Sequence, residues 1–240
     1  MRGSSIIGIL AAALVGSASP DWVGRFSSLG APPTPWRTIA YPGERPTHYR
    51  VALVAGRPAI EAMVDGSMAL MARPISVNLS ETPILCWRWY VDAPVANADM
   101  TRKSGDDYAA RMYVAFDMPD SALSGSTKLK LRMARGMFGR QVPDAAMIYV
   151  WDNKHAVGTA RRSSYTDRSQ LVVAESGAGR ARKWVSERAD LAEDFARAFR
   201  NKPGKPVQLA VAADGDNTNS KGRAAFADIH FVARDQPCVT

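Results

Sequence analysis

Along residues 105–117, Gly-Asp-Asp-Tyr-Ala-Ala-Arg-Met-Tyr-Val-Ala-Phe-Asp, apolar and polar positions alternate with a period of two. Tyr108, Ala110, Met112, Val114 and Phe116 fall on one side. Ala109, Arg111, Tyr113, Ala115 and Asp117 fall on the other. That alternation predicts a strand with one face in the core and one carrying polar groups. The same reading predicts strands over 48–54, 59–64 and 67–73, the last pairing back through an Asp65-Gly66 hairpin turn. Residues 74–79 continue in extended form, and 83–92 form a strand with Trp87, Trp89 and Val91 on one face and Cys86, Arg88 and Tyr90 on the other. Further strands are predicted over 145–151, 170–174, 184–185, 207–213 and 224–232. Residues 128–138 have mixed periodicity, and both strand and helix stay open there.

One segment has a clear helical pattern, Asp190 to Arg200. Leu191, Phe195, Ala198 and Phe199 form an apolar stripe, Asp190 suits the N-cap, and Pro203-Gly204 ends the element. Many short strands and one short amphipathic helix predict a mostly β protein, a jelly-roll-type antiparallel β-sandwich. No repeat interrupts it, and residues 42–240 read as one domain. Residues 19–41, rich in Pro, Gly and Ser, read as an irregular N-terminal arm.

The first residues follow another logic. Met1–Ser5 is a short positive start, Ile6–Val15 an apolar run, and Gly16-Ser17-Ala18 supplies small residues for cleavage after Ala18. Residues 1–18 are therefore expected to be a signal peptide, too short in its apolar part to span a bilayer comfortably. The expected location is the periplasm or outside the cell. There, the two cysteines, Cys86 and Cys238, have either a disulfide or separate thiols open to them.

The formal charge of +8 is spread along the chain. It favours anionic polysaccharide, phosphate-bearing polymers or lipid headgroups as partners, with a merely solvated surface as the plainer alternative. Export and the absence of a binding motif argue against nucleic acid. The sequence has no G-x-S-x-G elbow, no H-E-x-x-H, no P-loop and no G-x-G-x-x-G, and its three histidines are isolated.

Cys86-Trp87-Arg88-Trp89, Gly105 to Arg111, Tyr149-Val150-Trp151, Trp184 with Glu187-Arg188, and Asp216-Asn217-Thr218 with Ala227-Asp228-Ile229 form an ordered set of motifs. In them the chain resembles the bacterial family catalogued as domain of unknown function 3047, over nearly all of its length after residue 18. That resemblance implies no activity. The closing strand is also similar to the last strand of jelly-roll carbohydrate-binding modules, where an Asp-Ile/Val pair often sits beside a structural calcium.

The candidate chemistry falls into three groups. Asp214, Asp216 and Asn217, with Asn219 and Asp228, offer hard oxygens of the kind calcium takes, against the alternative of an Asx-rich turn. Asp106 and Asp107 are candidate acid/base carboxylates, with Arg111 as their cationic partner. Arg111 and Arg88 are candidate ligand-binding guanidiniums, each with a structural salt bridge as the alternative. Trp151, expected to be the exposed ring among seven candidate stacking aromatics that include Tyr113, lies beside Asp152 and Asn153. That mixture suits a polyhydroxylated ligand. The expected function is binding of a carbohydrate or anionic envelope glycan at Arg88, Arg111, Trp151, Asp152 and Asn153. A polysaccharide-acting enzyme using Asp106, Asp107 and Arg111, and a structural envelope protein, are the alternatives.

Overall fold

A computed structural model describes residues 20–138 and 142–239. The expected signal peptide therefore lies outside the described residues. The chain forms a jelly-roll-type β-sandwich of two sheets. The strands, in chain order, are β1 (Asp21–Gly24), β2 (Arg37–Ala40), β3 (His48–Val54), β4 (Arg57–Asp65), β5 (Ala69–Pro74), β6 (Ile84–Val91), β7 (Ala110–Asp117) and β8 (Ala145–Asp152). They continue as β9 (Ala160–Arg162), β10 (Ser169–Ser176), β11 (Val185–Asp190), β12 (Lys205–Ala212) and β13 (Lys221–Val232). Helix α1 spans Gly125–Phe138 and α2 spans Leu191–Phe199.

One sheet has the order β11-β6-β13-β4-β3, with β1 also paired to β13; the other runs β2-β5-β12-β7-β8-β10-β9. All pairs are antiparallel except β10 with β8. Parallel neighbours need a long crossover, and here it includes β9. The segment read as an irregular arm contributes β1 to one sheet and β2 to the other. The undecided stretch 128–138 belongs to α1.

Period-two alternation fixes what each strand buries. Trp87, Trp89 and Val91 of β6 meet Met112, Val114 and Phe116 of β7 and Met147, Tyr149 and Trp151 of β8 in one core between the sheets. Trp87 packs edge-on to Trp89, with ring centroids 5.4 Å apart, and Trp89 lies 5.7 Å from Trp151. Large rings in such tilted contacts bury much apolar area and add packing energy. The stripe of α2 closes one opening of this core with Leu191 and Phe195, and Asp190 caps it by accepting from the Glu193 N–H at 3.0 Å.

The Asp65-Gly66 turn does not form the expected hairpin. β4 pairs with β3 and β13, whereas β5 pairs with β2 and β12 in the opposite sheet. The turn is thus a corner between layers: Gly66, at φ +54°, gives its N–H to the Ser220 carbonyl rather than closing a two-residue loop. A hairpin turn and a sheet-to-sheet corner share the same residue chemistry, so local sequence does not separate them.

Cys86 and Cys238 form a disulfide that pins the C-terminal tail to the outside of β6. Among the described residues no helix is long and apolar enough to cross a membrane.

Candidate functional site

The sequence-predicted residues divide among three places. The first is the end of the seven-stranded sheet where β7 begins and β12 finishes. Arg111 projects outward from β7 and is only 3 % exposed. Its Nε donates to Asp214 Oδ1 at 2.9 Å, and its Nη2 donates to Asp214 Oδ2 and to the Asp106 carbonyl. Asp214 also accepts the Tyr108 N–H at 2.9 Å. Burial pushes the Asp214 carboxyl up, to about 7, against the opposing pull of Arg111. The salt-bridge alternative for Arg111 is therefore realised, with Asp214 as the principal partner and the Asp106 carboxylate 3.6 Å away. Asp106 is itself raised, first by burial and then by Asp107, with Arg111 opposing.

Asp107 points into the 214–220 loop. Its carboxylate accepts the N–H groups of Asn217 (3.3 Å) and Thr218 (2.6 Å), the Asn217 amide (3.2 Å) and the Thr218 hydroxyl (2.6 Å). It is completely buried. Loop closure also needs Gly215, where a Cβ would stand 2.5 Å from the Ser220 carbonyl oxygen. Asp107, Asp214 and Asp216 bring carboxylate oxygens within 4.8 Å of one another, a spacing that could hold a metal ion. Burial and the neighbouring Asp107 push Asp216 up to about 6. Asp228 is not part of this group. It sits at a bulge in β13 of the other sheet, at φ +52°, paired with Arg57 and 3.8 Å from Arg88. The third carboxylate is Asp107, brought in from a distant part of the chain.

The second place is the end of β8. Trp151, expected to be exposed, is 1 % exposed and belongs to the core; its Nε1 donates to the Gly177 carbonyl at 2.9 Å. The alternation of β8 puts Trp151 in phase with Met147 and Tyr149, which face inward. Asp152 points outward but is fully buried, accepting the N–H groups of Lys154 (2.8 Å) and His155 (2.6 Å). Asn153 donates its amide to the carbonyls of Ala96 (2.9 Å) and Ala98 (3.0 Å). Both residues thus anchor backbone: Asp152 holds the turn after β8, and Asn153 holds the loop between β6 and β7.

The third place is the outer face of the six-stranded sheet, where Arg88 donates to Ser186 Oγ at 3.0 Å. Arg88 and Arg111 therefore lie on opposite sides of the sandwich, because β6 and β7 belong to different sheets. The expected convergence of Arg88, Arg111, Trp151, Asp152 and Asn153 on one ligand does not occur.

The outer face of the seven-stranded sheet carries a different arrangement. Pairing registers align outward-facing residues in rows across the strands. One row reads Arg37, Ala72, Ala210, Tyr113, Ile148 and Leu171; the next reads Pro74, Gln208, Ala115 and Ala146. Ala72, Ala210, Ala115 and Ala146 form a buried floor between the larger side chains of these rows, and of the four only Ala115 reaches the groove beside them. Beside this floor lies a groove of about 660 Å³, lined by Trp36, Arg37, Ala115, Asp117, Arg135 and Gln208 together with three prolines. Arg135 is held by Asp144, Nη2 to Oδ1 2.9 Å. Toward the other end of the face, Tyr113 stands next to the buried Arg111, and the Tyr165 hydroxyl donates to Asn217 at 2.9 Å.

Arg37, Arg135 and Gln208 were not singled out from the sequence. Arg37 lay in the supposed arm and Arg135 in the undecided segment. Gln208 carried a usable signal, a polar residue at an outward position of a regular strand. Tyr113 was visible as an aromatic on the polar face of its strand.

The fold and this face define a β-sandwich with an open groove on its larger sheet. The chain belongs to the family described as "Protein of unknown function (DUF3047)", whose model matches residues 34–230. No curated protein matches the sequence. Among solved structures it is similar to the family 11 carbohydrate-binding module of the cellulosomal cellulase Lic26A-Cel5E of Clostridium thermocellum. That match has 7 % identity and a TM-score of 0.42, covering 91 % of this chain and 96 % of that one. The family 30 carbohydrate-binding module of the cellulase Cel9D-Cel44B of Clostridium thermocellum shows 12 % identity and a TM-score of 0.39, with 92 % and 97 % covered. A variant of ENZbleach xylanase shows 10 % identity and a TM-score of 0.44, with 93 % and 91 % covered.

Proposed function

We propose that this is an exported ligand-binding protein that takes an extended polyhydroxylated chain, a glycan, across the outer face of its seven-stranded sheet. The observation that carries this reading is the groove of about 660 Å³ on this face, lined by Arg37, Gln208, Asp117 and three prolines. An open trough with guanidinium, amide and carboxylate groups among proline surfaces suits sugar rings, which present apolar faces and hydroxyl edges together. Arg135 is already paired with Asp144, which leaves Arg37 and Asp117 as one charge of each sign in the groove, so the test spans neutral and anionic glycans. Export is supported by the disulfide, which needs an oxidising compartment to persist.

Catalysis by Asp106, Asp107 and Arg111 has less support. Asp107 is occupied by four donors of the 214–220 loop and Arg111 by Asp214, so neither is placed to meet a substrate. Calcium is the hard cation that the three clustered carboxylates would take. The donor set fits it poorly: Arg111 already neutralises Asp214, and N–H and O–H donors fill the Asp107 oxygens. We assign loop closure to Arg111 and these donors.

The test is affinity electrophoresis of the protein through neutral and uronate-bearing polysaccharides, followed by calorimetry on whichever retards it. Retardation that falls roughly tenfold or more in affinity in the Arg37→Ala/Gln208→Ala variant, with melting unchanged, is the expected outcome, each lost hydrogen bond to ligand being worth about 1 kcal/mol or more. Binding that survives this variant, or a panel that never retards the wild type, would defeat the reading.

A further inference from the structure

Helix α1 carries a surface that the groove reading does not use. Its fourteen residues include Lys128, Lys130, Arg132 and Arg135 and not one Asp or Glu. Leu131 is buried at 6 % exposure and marks the packed side of the helix. On the opposite side Leu129 and Met133 are 54 % and 62 % exposed, among the most exposed large apolar side chains of the described residues. At about 3.6 residues per turn, Leu129 and Met133 stand within about 40° of each other. Lys130 then lies about 60° beyond them on one flank, and Arg132 about 60° on the other. Lys128 and Arg135 have acidic neighbours, Asp120 at 3.4 Å and Asp144 at 2.9 Å. Among the described residues Lys130 and Arg132 have no carboxylate partner.

An apolar ridge flanked on both sides by unpaired cations is the pattern of a helix that lies in the plane of a bilayer interface. The ridge enters the acyl boundary while the flanking cations meet lipid phosphates. We propose that α1 docks the protein on an anionic membrane surface, with Leu129 and Met133 inserted and Lys130 and Arg132 on the headgroups. Charge complementarity selects the occupant: a ridge flanked by the unpaired Lys130 and Arg132, on a helix without an acidic residue, is repelled by a second copy of itself. A soluble polyanion would use the cations and leave the two apolar side chains without a role. The inference is independent of the glycan groove, although Arg135 places that groove next to the docked helix.

The test is flotation of the purified full chain with vesicles of phosphatidylcholine alone and of phosphatidylcholine containing phosphatidylglycerol. Binding is expected only to the anionic vesicles and is expected to weaken with salt. The Leu129→Ser/Met133→Ser variant should lose roughly tenfold or more in affinity, because both side chains leave water on docking. The Lys130→Ala/Arg132→Ala variant should lose on the order of tenfold. Since all four side chains are on the surface, melting temperatures should match the wild type, so a loss of binding is not a loss of fold. Any one of four results would overturn the proposal: no binding to anionic vesicles, equal binding to uncharged ones, full binding by the Leu129→Ser/Met133→Ser variant, or vesicle binding lost only because these substitutions abolish a dimer seen by gel filtration.

Discussion

Replacing Arg111 by Met tests whether the residue at the centre of the acidic cluster holds the fold or awaits a ligand. The side chain is 3 % exposed and supplies two of the three N–H donors on Asp214, as well as one on the Asp106 carbonyl. Met fills much of the same volume but leaves the Asp214 carboxylate buried beside a single backbone N–H. Breaking one side of a buried ion pair costs about 3–5 kcal/mol, chiefly through the charge left behind. Removing both charges in Arg111→Met/Asp214→Asn should cost less, about 1–2 kcal/mol, because no bare charge remains. Asp214→Asn alone leaves Arg111 buried without its principal partner and should also cost about 3 kcal/mol or more, so a double-mutant cycle returns a coupling of about 4 kcal/mol or more.

The deficit of Arg111→Met should also depend on pH. Burial already raises Asp214 to about 7, and loss of the guanidinium raises it further. A raised folded-state pKa favours the protonated form in the native protein. The associated stability is complete below the unfolded carboxyl pKa and is lost as pH rises through the folded one. The deficit should therefore be smallest near pH 5 and largest near pH 8. Urea unfolding followed by tryptophan fluorescence at both pH values measures it. A deficit under about 1 kcal/mol at pH 8, or one that grows on acidification, would show that the pair is not what holds this end of the sheet.

Two further predictions concern the opposite side of the molecule. Burial pushes Glu187 up to about 7 from 4.5, partly offset by the Trp89 indole N–H that donates to it at 3.2 Å. Its stabilising contribution is thus present below about pH 4.5 and lost as pH rises through about 7, so Glu187→Gln should gain about 1–2 kcal/mol at pH 8 and nothing at pH 5; equal effects at both would refute the assignment. The Cys86–Cys238 disulfide links residues 152 apart in sequence, and reducing it should cost about 3–5 kcal/mol, lowering the melting temperature by roughly 10 °C. An unchanged melting curve after thiol counting confirms reduction would mean that the C-terminal tail and β6 are held together by packing alone.

The amino-acid sequence by itself determined what lies along each strand. Period-two alternation in residues 108–117 and 145–152 decides which side chains face the core. Helical periodicity with an Asp190 cap decides α2. From these follow a mostly β sandwich with its aromatic interior, including the polar face on which Tyr113 and Arg111 stand. Even Trp151 could have been placed in the core from its phase with Met147 and Tyr149; the reading that exposed it gave its polar neighbours more weight than its register.

Only the tertiary structure decided which strands are neighbours, and the candidate site turns on that. β6 and β7 are separated by a loop and enter different sheets, so Arg88 and Arg111 end up on opposite faces. Asp107 and the loop after Asp214, about 110 residues apart, meet because β7 and β12 are paired. The groove residues Arg37, Gln208 and Arg135 come from three separate segments aligned by register between strands and by the seating of α1. Local alternation is set by backbone geometry within a few residues. Strand partnership is set by the burial of the whole core, so the chemistry that depends on partnership emerges only once the sheets are assembled.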